Sequence, residues 1–93
     1  MTFLSKVEDA FEIAGRGCVL VPGIGESTPK EVGVKTHDAI ELRKPDGTTI
    51  LTHVEALEFL DGKGRRFCVP ILLPAGMTKN DVPIGTEIWL ANK

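Results

Sequence analysis

The chain has 93 residues, 42% hydrophobic and 26% charged, with a net charge of −2. That length holds one small domain, which buries only about 60–65% of the surface its unfolded form exposes. The balance excludes a disordered tail or a collagen-like repeat, and the acidic sign argues against gripping long nucleic acid by charge alone. No run of 18 apolar residues is present, so no segment reads as a membrane-spanning helix, and residues 1–6 do not resemble a secretory signal. The cytoplasm is the expected compartment, with Cys18 and Cys68 as reduced thiols.

Taken in chain order, residues 4–14 carry conflicting signals. Ser5 with Glu8 resembles a capping box, and Leu4, Val7, Ala10 and Phe11 share a helical face, with Gly15 as the stop. Residues 18–22 form a short apolar run ended by Pro22 and Gly23. Residues 39–43 alternate in and out, and Pro45-Asp46-Gly47 is a strong turn. Residues 48–54 are rich in β-branched side chains, which suit a strand. Residues 53–60 add a second helical spacing through Val54, Leu57 and Leu60, followed by a turn at 61–64. Residues 67–73 predict a buried strand that Pro70 pushes to an edge or a bulge, and residues 87–90 predict a closing strand. Ten glycines and six prolines at such intervals favour an antiparallel barrel or sandwich over a helical bundle.

Chemistry-bearing motifs are sparse. There is no GxxxxGK[ST] phosphate loop, and the glycines at 15 and 17 or at 23 and 25 are too few for a dinucleotide fingerprint. His37, His53, Cys18 and Cys68 lack zinc spacing. No cofactor is expected. A small enzyme built on Cys68 or Cys18 with a histidine stays open only because such dyads assemble in space. Lys63, Arg65 and Arg66 make a short basic cluster suited to a phosphate contact or a solvated turn.

The run VEDAFEIAGRGCVL at residues 7–20 resembles the opening of the second domain of elongation factor Tu and related translational GTPases, which begins VEDxFxIxGRGxV. Looser similarity follows in order: KTHDAIEL at 35–42, THVEAL at 52–57, CVPILL at 68–73 and GMTKNDVPIGT at 76–86. The resemblance covers residues 4–90 and implies an all-β fold, a six-stranded antiparallel closed β-barrel of the translation-factor second-domain type, as one domain over residues 1–93 with no GTPase domain. It turns residues 4–14 into a strand, with Val7, Phe11 and Ile13 offered to the barrel interior. Gly15 and Gly17 would permit the tight turn, with Arg16 as a structural hydrogen-bonding residue.

In that family the barrel helps hold the aminoacyl end of tRNA. The matching positions are Glu8, Asp9, Phe11, Val19 and Glu55. Carboxylates there accept hydrogen bonds from a ribose hydroxyl or an ammonium group, and the apolar faces support a base or side chain. Val21, Glu58, Cys68 and Ile84 replace the family's threonine, arginine, asparagine and arginine, removing cations that would meet phosphate. The resemblance therefore implies a non-enzymatic binding module for tRNA, rRNA or a translation-machinery protein, binding no GTP. The alternative is a protein-interaction or self-associating module using strand edges or the 74–85 loop.

Overall fold

The structure, a computed structural model, describes residues 1–25, 28, 32–58 and 68–91. Within them the chain forms eight strands: β1 (Thr2–Lys6), β2 (Asp9–Ile13), β3 (Gly17–Ile24), β4 (Ala39–Arg43), β5 (Thr49–His53), β6 (Ala56–Leu57), β7 (Val69–Leu72) and β8 (Glu87–Leu90). A single turn of 3-10 helix, Lys79–Asp81, precedes β8. The strands make two antiparallel four-stranded sheets, ordered β1-β8-β4-β5 (sheet I) and β2-β3-β7-β6 (sheet II).

Period-2 alternation sets the faces. In β4, Ile40 and Leu42 are fully buried while Glu41 and Arg43 turn outward; in β8, Ile88 and Leu90 are buried while Glu87 and Trp89 turn outward. Across sheet II, Ala10 lies opposite Leu20, which lies opposite Ile71, and all three are buried. These inward side chains meet in one core with Leu4, Val7, Val54, Leu73 and Val82. Each such aliphatic side chain contributes about 1.5–3 kcal/mol by leaving water.

The expectation of a six-stranded closed barrel is corrected to eight strands in two sheets among the described residues. The physical reason is that two long extended segments turn corners. Val7 donates its N–H to Thr86 O (2.7 Å) and accepts from Gly85 (2.9 Å) beside sheet I, while the next residue, Glu8, donates to Val21 O (2.8 Å) in sheet II. Val54 donates to Asp38 O (2.9 Å), and Glu55 then donates to Leu72 O (2.8 Å). Segments 2–13 and 49–57 thus each supply one strand to each sheet.

The same corners explain the false helix signals. A register shift between Phe3 and Ser5 buries both Leu4 and Ser5, and the corner at Glu8 reverses the inward side again, so Leu4, Val7 and Ala10 are buried at a spacing of three without any helix. Val7 faces the core as expected, but Phe11 and Ile13 do not: Phe11 is 52% exposed and Ala10 fills the interior. The helical spacing at 53–60 resolves into the end of β5, the corner and β6, with Leu60 outside the described residues. Pro70 sits in β7, between β3 and β6, opposite a bulge where β3 pairs Leu20 with Ile71 and then Ile24 with Val69.

Hydroxyls fasten the two sheets together. Ser5 donates to Gly23 O (2.6 Å), joining β1 to the β3 bulge, and Thr28 donates to Leu4 O (2.8 Å). Both side chains are buried, so each bond also removes the cost of a dry hydroxyl.

Candidate functional site

The outer face of sheet II collects most of the residues singled out from sequence. Directly opposed residues share a face, so Phe11, Val19, Leu72 and Ala56 form one row across β2, β3, β7 and β6. Val19 and Leu72 are nearly covered, while Phe11 at the end of the row is open to solvent and Ile13 continues the exposed side of β2. Asp9 lies opposite Val21, one step along from the Phe11–Val19 pair, and its Oδ1 accepts from the Ala10 N–H (2.8 Å). Glu8 is exposed at the first corner, and Glu55 is exposed at the second, tied through its N–H to Leu72 in the same row. The structure therefore brings Asp9, Phe11 and Val19 to one sheet surface, with Glu8 at its margin, while Glu55 lies next to β6 at the opposite edge of the sheet and is not brought to Phe11.

The GRG turn is built from backbone necessity. Arg16 donates its N–H to Ile13 O (2.9 Å), and Gly15 takes φ +79° in the third position of that turn, where a side chain is strained. Gly17 has φ +138°, and a Cβ there would lie 2.5 Å from Leu73 O, so β3 and the end of β7 approach too closely for any other residue. Arg16 then reaches back over the sheet. Its Nη2 lies 2.9 Å from Glu58 Oε2, linking the β2–β3 turn to the residue after β6. In the strand order β7 lies between β3 and β6, so the ion pair bridges across β7. Glu58 is thus the partner of Arg16. Sequence reasoning gave Arg16 a structural hydrogen-bonding role but could not name its acceptor, 42 residues away.

Beside the turn is an open groove of about 480 Å³ between residues 12–17 and 75–78, with Met77 and Ile13 among its lining side chains. Glu12 closes one end by accepting the Lys79 N–H at 2.9 Å. Residues 75–78 were not singled out as groove residues, since only the β3–β7 register brings them to the turn.

Glu55 also faces His53, with Oε1 3.1 Å from Nε2, and the His53 ring lies 6.0 Å from that of His37. Among the described residues, no group of three His, Cys, Asp or Glu side chains is placed to hold a metal ion. Cys18 is buried in the core, and burial pushes its thiol pKa up, with the Glu12 and Asp81 carboxylates adding to the effect. Such a thiol stays protonated and is a poor nucleophile. Cys68 is half-buried and free. Lys63, Arg65 and Arg66 lie outside the described residues. No helix among the described residues is long and apolar enough to cross a membrane.

Comparison of the chain with protein families and with curated proteins finds no match.

Proposed function

We propose that the chain is a non-enzymatic binding module, akin to the second domain of the translational GTPases, that takes the aminoacylated end of an RNA on the outer face of sheet II. The observation that carries this reading is Phe11, an aromatic ring left open at the end of an apolar row, with Asp9 two residues before it on the same face of β2. A planar base stacks on such a ring, and a carboxylate pairs with the ammonium of an aminoacyl group or accepts from a ribose hydroxyl. The two corner-turning segments, the glycine-defined turn and the motif at 7–20 support kinship with that barrel type. Arg16 is engaged by Glu58, so recognition rests on the end group more than on phosphate.

Titration with aminoacyl-tRNA, deacylated tRNA and a short aminoacylated oligonucleotide, followed by amide NMR shifts, tests the proposal. The expected result is that both aminoacylated ligands shift residues around Asp9, Phe11 and Val19, and deacylated tRNA binds more weakly. Phe11→Ala should weaken binding by about 1–3 kcal/mol, the usual worth of a base–aromatic stack. Equal affinity for charged and uncharged tRNA, or shifts confined to sheet I, would overturn it.

A further inference from the structure

The other sheet ends in an edge that is built to pair. Among the described residues, strand β5 is the outermost strand of sheet I and pairs with β4 alone. Its hydrogen-bonding phase follows from two bonds at its ends: Lys44 N–H to Thr48 O (2.8 Å) and Val54 N–H to Asp38 O (2.9 Å). An antiparallel ladder alternates, so residues 48, 50, 52 and 54 point their backbone groups toward β4. The N–H and C=O of Thr49, Leu51 and His53 therefore point away from the sheet.

Natural edges are blunted by charges, prolines, bulges or extreme shortness. The other edges of this molecule use such devices. β1 carries Lys6 and a register shift, and is bonded to the β3 bulge through Ser5. β2 carries Asp9 and Glu12, and β6 is two residues long. β5 has none of these: no Lys, Arg, Asp, Glu or Pro occurs in Thr49–His53, its register with β4 is unbroken, and Leu51 at its centre is 74% exposed.

We propose that β5 pairs with β5 of a second copy, antiparallel about a twofold axis through Leu51, to join two sheets I into one continuous sheet. The occupant is a second copy because the edge is self-complementary. With the axis at Leu51, Leu51 meets the second copy's Leu51, and Thr49 meets the second copy's His53. Each of these is a hydrogen-bonded pair exchanging two N–H···O bonds, so all three outward-pointing residues are satisfied together. The exposed leucines cover each other, and no like charges stand directly opposite within the strand. A five-residue edge buries less than the roughly 800 Å² per partner of a stable interface, so the dimer is weak and concentration-dependent. This inference is independent of the RNA-end reading, which uses the other sheet.

Sedimentation equilibrium over a concentration series tests it on the whole chain, with Leu51→Lys, Thr49→Pro and Phe11→Ser. The wild type should move from the mass of one copy toward that of two. Leu51→Lys places two ammonium groups at the axis and should weaken the dimer at least about tenfold, or 1.4 kcal/mol. Thr49→Pro removes an N–H that points away from β4 and should act in the same direction. Phe11→Ser, on the opposite sheet, should associate as the wild type does. A wild type that stays at one copy throughout, or a Leu51→Lys variant that associates unchanged, overturns the proposal. Loss of association in Phe11→Ser alone overturns it too, and assigns the contact to sheet II.

Discussion

The two sheets obey the same inward alternation but finish their outer faces differently. On sheet I the outward aromatic rings of Phe3 and Trp89 and the charged groups beside them satisfy one another. The Phe3 and Trp89 rings meet edge to face at 5.4 Å, Arg43 lies 4.2 Å over Trp89, and Trp89 Nε1 donates to Glu87 (2.9 Å). Arg43 also pairs with Glu41 at 2.5 Å. On sheet II the aromatic ring of Phe11 ends its row uncovered. A face whose aromatic and ionic groups are mutually engaged contributes to stability, whereas an open aromatic ring adds little to it.

The largest expected effect breaks the framework beneath the open face. Gly17→Ala forces a Cβ to within 2.5 Å of Leu73 O at φ +138°. Strain and displacement together should cost about 3 kcal/mol or more. Gly15→Ala meets nothing within 4 Å and bears only the strain of φ +79°, about 1–2 kcal/mol. Urea unfolding of both variants measures the gap, and equal losses would show that the β3–β7 approach is not what fixes the turn.

The next effect tests the comparison itself. Trp89→Ala removes a half-buried indole, its Phe3 contact and its cation–π partner, and should cost about 2–4 kcal/mol while leaving ligand affinity unchanged. Phe11→Ala should change stability by less than about 0.5 kcal/mol while weakening the ligand. Chemical denaturation and NMR titration on the same two variants give the two axes. Matching stability losses in both would abolish the distinction between the faces.

What could be read from the sequence followed the regularity of each strand. β4 and β8 keep unbroken alternation, and their expected bounds at 39–43 and 87–90 are those observed. The first strands were harder because parity counted from Val7 places Phe11 and Ile13 inside. The corner at Glu8 reverses that count, and a corner is a tertiary event with no local signature. Candidate residues Asp9, Phe11 and Val19 share one face because the motif that picked them is local to residues 7–20, whereas Glu55 lies at the opposite edge of the sheet, next to β6. Leu72 and Ala56 were missed as site residues, since outward position on a covered strand is apparent only after the β3–β7–β6 register is known. The Arg16–Glu58 pair joins residues far apart in sequence, and only the strand order makes them neighbours.

That pair gives the third effect. Arg16→Ala or Glu58→Ala should cost no more than about 1 kcal/mol, since both side chains reach solvent. Glu58→Arg sets two guanidinium groups together and restores a cation near the open face. It should lower stability slightly in urea and, if the chain binds RNA as proposed, steepen the salt dependence of that binding by about one counterion per phosphate met. An unchanged salt slope would place position 58 outside the reach of phosphate.

The smallest effects separate the sheets by pH. Cys18 in β3 has its thiol pKa raised by burial and then by Glu12, so it holds its proton in the folded chain while the unfolded chain begins to ionise near the ordinary value of 9.0. Stability is therefore full below 9.0 and declines as pH rises toward the folded value, with a slope of at most about 1.4 kcal/mol per pH unit. Cys18→Ala should abolish that alkaline slope. Asp46, in the turn joining β4 to β5, behaves oppositely. Its carboxylate accepts from the Thr48 hydroxyl (2.7 Å) and N–H (2.9 Å), and these bonds lower its pKa below 3.8. Its contribution is present above 3.8 and is lost as pH falls through the depressed value. Being exposed, it should give only a shallow acid slope that Asp46→Ala removes. Amide exchange against pH resolves the two by location: alkaline loosening should begin around β3 in sheet II and acid loosening at the β4–β5 turn in sheet I. If both sheets loosen together at each extreme, they unfold as a single cooperative unit and their difference is confined to the outer faces.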